Sequence, residues 1–131
     1  MMNRSSNNTC GTNTINEVPD QARISYCLHL ADNSLIMGHR LSEWTGHGPT
    51  LEQDIAISNI ALDLIGQSRN FYQYAAEIVN GSNFKSETED TLAYLRDAND
   101  FKNIILVELP NGDWAKTCLK IFLFKIGRAH V

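Results

Sequence analysis

Apolar positions recur with the helical period from Gln21 to Trp44. Ile24, Cys27, Leu28, Ala31, Leu35 and Gly38 fall on one side, and Leu30, Met37, Leu41 and Trp44 lie next to it. The opposite side carries His29, Asp32, Asn33, His39, Arg40 and Glu43, so the pattern predicts an amphipathic helix with a wide buried arc. Thr45-Gly46-His47-Gly48-Pro49 then breaks it, and so short a link predicts an antiparallel pair of helices. A longer helix follows from Thr50 to Asn80-Gly81, about eight turns without a proline. Thr50 and Gln53 stand at capping-box spacing, and Gly81 supplies the stop. Glu52, Asn59, Asp63, Asn70, Gln73 and Glu77 form one narrow polar stripe. One flank of that stripe is Leu51, Ile55, Leu62 and Ile65; the other is Ile57, Ile60, Leu64, Phe71, Ala75 and Ile78. An apolar arc that wide exceeds what one neighbouring helix covers. The helix is therefore central to a bundle, or part of its arc meets another subunit.

The remainder is less periodic. Gly81 to Lys85 reads as a linker, and Ser86 with Glu89 repeats the capping-box signature before a short helix through Leu92 and Leu95. Asp97 or Asn99 opens a further segment, and Ile104 to Leu109 is the one β-like run. Pro110-Asn111-Gly112-Asp113 is a turn, with Asp113 placed to cap a last helix starting at Trp114. Residues 1–20, rich in Asn, Ser and Thr, read as a disordered leader. The end, residues 125–131, has no helical logic. Its Ile126-Gly127-Arg128-Ala129-His130-Val131 matches a translated frame of a common sequencing adapter, so a non-native tail after Phe124 is expected.

Composition removes several function classes. A formal charge of −4 over 131 residues and a pI near 5.5 argue against non-specific nucleic-acid binding. No apolar run is long enough to span a bilayer, and no basic amphipathic segment suits a membrane surface. Cys10, Cys27 and Cys118 are far apart and lack C-x-x-C spacing, so free thiols in a reducing compartment are expected.

Long helices of this kind often hold carboxylate-bridged di-iron centres, which need Glu-x-x-His so that i and i+3 face one metal pair. Three residues after Glu43, Glu52, Glu77, Glu89 and Glu108 stand Gly46, Ile55, Asn80, Leu92 and Asn111. The motif is absent. His39 and Glu43 could share a metal at i, i+4, but a solvated face is the simpler reading. Asp63, in mid-helix, is either a functional carboxylate or part of the water-facing stripe. His47 could be a general base, yet nothing nearby in sequence orients it. Gly46 and Gly48 are better explained by the backbone of the link.

Two runs carry a resemblance. LADNSLIMGHRLSEWTGHGPTLEQDIAISNIALDLIGQSRNFYQYAAE and EDTLAYLRDANDFKNIILVELPNGDWA resemble the C subunits of bacterial ring 1,2-phenylacetyl-CoA epoxidases, over about Tyr26 to Phe124. The carriers are Glu43-Trp44-Thr45-Gly46-His47-Gly48-Pro49, Ala61 to Arg69, LAYLRD, and Glu108 to Asp113. Thr45 departs from the cysteine often found there, which argues against a thiol role. The resemblance implies an all-α, ferritin-like helical bundle, truncated here to its first helices (residues 21–124), soluble and cytoplasmic. It also implies a non-catalytic structural subunit in aerobic phenylacetate catabolism. Its partners would be the catalytic A subunit, which holds the di-iron site, and further members of the complex. No cofactor is expected on this chain, and no catalytic or metal-binding residue. Trp44, His47, Asp63, Pro110, Asn111, Gly112 and Asp113 are the candidates for interface or positioning roles. The rivals are a self-sufficient di-iron oxidoreductase and a helical adaptor outside this pathway. With the rest of a bundle missing, both long helices would leave apolar surface wet, and an aggregation-prone or molten chain is expected in isolation.

Overall fold

The computed structural model describes residues 14–82 and 87–129. Five α-helices follow one another: α1 (Thr14–Ser42), α2 (Leu51–Ser82), α3 (Glu89–Tyr94), α4 (Ile105–Glu108) and α5 (Trp114–Ala129). A 3-10 turn at Ala98–Asp100 separates α3 from α4, and the described residues contain no strand. The chain is all-α, as its periodicity predicts.

α1 and α2 form the hairpin. Their contacts run in opposite directions: Asp32 of α1 meets Tyr72 of α2, while Gly38 meets Ala61 and Ile65. At that crossing a Cβ on Gly38 would lie 2.8 Å from Ile65 Cγ1 and 3.2 Å from the Ala61 carbonyl oxygen. Only glycine lets the two backbones approach so closely. The link uses its other glycines in two ways. Gly46 has φ of +82°, the left-handed region, and its N–H donates to both carboxylate oxygens of Asp54 at 2.9 and 3.1 Å. Gly48 packs on Asp54, where a Cβ would come within 3.1 Å of the backbone nitrogen.

Two apolar clusters fill the hairpin. Met37, Leu41, Ile57, Ala61 and Leu64 meet Val107 of α4 and Phe124 of α5 at the link end. Ala31, Leu35 and Tyr72 meet Ala93 of α3 at the other. Each large side chain so buried contributes about 1.5–3 kcal/mol, so α3 and α5 are held by packing rather than by intrinsic helicity.

Four sequence expectations need correction. The polar side of α1 is not solvated throughout: Asp32 and Asn33 are buried, because residues 96–104 fold over them. The cap of α3 is Thr88, not Ser86. Thr91 N–H donates to Thr88 Oγ1 at 3.3 Å and Thr88 N–H to Thr91 Oγ1 at 3.0 Å, a reciprocal box with threonine in the place usually held by glutamate; Ser86 lies outside the described residues. Ile104 to Leu109 forms a helical turn instead of a strand, since it has no strand to pair with and Pro110 stops it. At the ends, α1 starts at Thr14, ahead of Gln21, and α5 runs past Phe124 to Ala129. Residues 1–13 of the expected leader and residues 130–131 of the expected tail lie outside the described residues.

Asp113 caps α5 as expected: Lys116 N–H donates to its Oδ1 at 2.8 Å and Thr117 N–H to its carbonyl at 3.1 Å. Asp113→Ala is expected to cost about 1 kcal/mol, read as a lower urea midpoint with an unchanged slope.

Candidate functional site

Most of the candidate residues converge where the C-terminal end of α1 meets the turn before α5. The Trp44 and Trp114 rings meet edge to face, 5.2 Å between centroids. Trp44 Nε1–H donates to Thr117 Oγ1 at 3.0 Å, and that hydroxyl donates in turn to the Asp113 carbonyl at 3.1 Å. Asn111 ties the turn to α1, its amide donating to the Arg40 carbonyl and to Glu43 Oε2. Lys120, buried on α5, donates to the carbonyl of Leu109 at 2.7 Å and reaches Pro110 O and Asn111 Oδ1 at 3.4 Å. Burial lowers the Lys120 ammonium pKa, with the Arg40 charge adding to the effect and Glu43 opposing it. Gly112 has Lys116 over its Cα, with a Cβ there 2.7 Å from Lys116 Cδ. The segment from Pro110 to Asp113 is thus a latch between α1 and α5, made of backbone carbonyls read by side chains.

Two candidates stand outside that latch. His47 is exposed on the link, its Nδ1 3.2 Å from the Thr45 carbonyl. Asp63 is exposed on the outer polar stripe of α2. The His39–Glu43 pair does not assemble either. His39 is exposed, and Glu43 is engaged by Asn111 and by Arg40, 3.2 Å away.

A second constellation, not singled out from sequence, lies inside the hairpin. Asp32 is fully buried on α1 and receives four donors. Tyr72 Oη–H donates to Oδ1 at 2.6 Å, Arg96 Nη1 to Oδ2 at 3.2 Å, Arg96 Nη2 to Oδ1, and Lys102 N–H to Oδ2 at 3.3 Å. Arg96 also stacks on Phe101, 4.3 Å from the ring centroid. Beside it, Asn33 Oδ1 accepts from Ile104 N–H at 2.9 Å, and His29 Nδ1 meets the Lys102 carbonyl. The signal for this network was the polar run RDANDFKN: short of helix, its backbone needs partners, and the polar positions of α1 supply them.

Burial pushes the Tyr72 phenol well above its ordinary range, the hydrogen bond to Asp32 and the Asp32 charge adding to this and Arg96 opposing it. Because the folded pKa is raised, this contribution to stability is complete below about pH 10 and lost as pH rises beyond it. Stability is expected to fall by up to about 1.4 kcal/mol per pH unit above pH 10 from this group. Tyr72→Phe, followed by urea unfolding from pH 8 to 11, is expected to flatten that slope. Cys27 acts in the same direction at lower pH, its thiol raised by burial with Arg23 opposing.

A di-iron pair needs several carboxylates and imidazoles converging on one point. Among the described residues no three His, Cys, Asp or Glu side chains gather in that way. The fully buried carboxylate, Asp32, is already enclosed by a guanidinium, a phenol and a backbone amide. The described residues do not fit the metal pair.

An antiparallel pair of long helices, with an interior polar group neutralised by hydrogen bonds, places the chain among all-α helical proteins. Comparison with known proteins narrows this. Residues 2–130 match the family described as phenylacetic acid catabolic protein, and the chain belongs to that family. It is also 52% identical over 93 residues to the C subunit of 1,2-phenylacetyl-CoA epoxidase from Escherichia coli (strain K12). That alignment covers 71% of this chain and 36% of the relative, so the chain spans about a third of the length of the curated protein it matches. Among the described residues no helix is long and apolar enough to cross a membrane.

Proposed function

We propose that this polypeptide serves as the non-catalytic structural subunit of a multicomponent phenylacetyl-CoA 1,2-epoxidase in aerobic phenylacetate catabolism. It would support a separate catalytic subunit that holds the di-iron centre, in the cytoplasm. The likeness to the C subunit of an epoxidase supports the assembly and the pathway. The observation that carries the non-catalytic role is the engagement of Asp32 by Arg96, Tyr72 and the Lys102 amide. A metal-binding carboxylate must offer lone pairs to the ion, and here they are committed to donors. The Trp44–Trp114 contact and the Asn111 latch then act as framework, fixing α5 against the hairpin.

Reconstitution tests the reading. The complete gene product is combined with the catalytic subunit, a reductase and phenylacetyl-CoA. Substrate consumption is expected only when both subunits are present. Epoxidation by the catalytic subunit alone at the full rate would remove the supporting role, and epoxidation by this polypeptide alone would make it the enzyme.

A further inference from the structure

On α2 an apolar face remains uncovered. Leu51, Ile55 and Leu62 are 71%, 51% and 67% exposed, although they lie on a long helix that packs its opposite face into the core. Ile57, Ala61 and Leu64 pack into the core, and Gln53, Ala56 and Ile60 line a groove of about 620 Å³ against α5. The exposed stripe lies half a turn round from that groove, so a helix filling the groove beside α5 cannot reach it.

Gly66 continues the stripe, one turn beyond Leu62. It is exposed, and a Cβ built there meets nothing within 4 Å. A glycine inside a helix weakens it relative to alanine. At Gly38 the packing of α1 on α2 explains the residue; at Gly66 nothing among the described residues does. Close approach of another backbone would explain it.

The border of the stripe has a sign. Glu52 and Asp63 run alongside it with Asn59 between them, all exposed, and neither carboxylate has an ion-pair partner among the described residues. Arg69 at the far end is paired with Glu89, 3.0 Å away, so its charge is spent. An aliphatic ridge with a glycine notch and an acidic border complements a helix with an aliphatic ridge and a Lys or Arg border.

We infer that Leu51, Ile55, Leu62 and Gly66 dock an amphipathic helix of another polypeptide, with basic residues along the side facing Glu52 and Asp63. This rests on the subunit role proposed above and assigns that role a surface; the helix is taken to belong to the catalytic subunit.

The test uses the complete gene product and the catalytic subunit, measuring Kd by calorimetry and Tm by circular dichroism. Gly66→Ala is expected to raise Tm. Gly66→Leu and the pair Ile55→Glu/Leu62→Glu are expected to keep Tm within a few degrees while weakening binding about 100-fold. Glu52→Lys/Asp63→Lys is expected to weaken it about tenfold at low salt and less at high salt. Unchanged Kd in all these variants, with the unaltered protein binding normally, would overturn the inference and leave the subunit role standing. A collapse of Tm in Ile55→Glu/Leu62→Glu would assign the face to the interior of the same chain. Loss of self-association with unchanged Kd would assign it to a second copy, and either result overturns the inference. Failure of the unaltered protein to bind the catalytic subunit would remove both readings.

Discussion

Asp32→Ala is expected to destabilise the complete gene product by about 3–5 kcal/mol, measured by urea unfolding. The substitution removes the one acceptor group shared by Tyr72, Arg96 and the Lys102 N–H. Arg96, whose side chain is 15% exposed, would keep its charge with no counterion, and uncompensated buried charge is the dominant cost. Against a typical stability of about 5–15 kcal/mol, that loss is large enough to unfold a marginal protein. The network's net worth is a different quantity. Desolvation of both ions offsets much of their attraction, so replacing the set by apolar groups is much less harmful than breaking it. Asp32→Leu/Arg96→Met is therefore expected to cost less than the sum of its two single changes, a coupling of about 1–3 kcal/mol in a double-mutant cycle. Additive losses would show that the two side chains act independently.

Trp44→Ala is expected to cost about 3–5 kcal/mol. The indole packs against the core cluster of Met37, Leu41 and Phe124 and meets Trp114 edge to face, so truncation leaves a cavity between α1 and α5. Trp44→Phe separates packing from hydrogen bonding. It retains a ring against Trp114 but loses the N–H to Thr117, for about 1 kcal/mol from the bond. Thr117 Oγ1 keeps its own donation to the Asp113 carbonyl and is not orphaned. Equal losses in the alanine and phenylalanine variants, by urea unfolding, would contradict a packing role.

The long helices and their pairing were legible because their signals are local and redundant. Period and link length agree from Gln21 to Asn80, and the hairpin follows; Gly81 does not end α2 in a left-handed cap as expected, since the helix runs through it to Ser82. Asp113 was legible for the same reason: a turn followed by an apolar helix demands a cap at that position. The buried network was not. Asp32 lies on a stripe with His29, His39 and Glu43 that reads as solvated, and only the return of residues 96–104 across α1 removes it from water. That return depends on contacts between positions far apart in the chain, such as Ile104 to Asn33, which periodicity does not report. The uncovered flank of α2 falls between these cases. Its excess apolar width was plain from Leu51, Ile55 and Leu62, and no element among the described residues covers it. Among the proposed interface residues, Trp44 and Asn111 turn inward to the fold, Asp113 caps α5 from an exposed position, and Asp63 remains on the outer stripe.

Iron content tests the proposed structural role most directly, in which this ferritin-like chain keeps its interior carboxylate committed to Arg96 and Tyr72 and not to metal. The complete gene product is purified alone and in complex with the catalytic subunit, and iron per polypeptide is measured after loading with ferrous ion. The expected result is a negligible amount on the isolated chain and two irons per catalytic subunit in the complex, a metal pair being the centre's requirement. Stoichiometric iron on the isolated chain, lost in Asp32→Ala, would contradict the account.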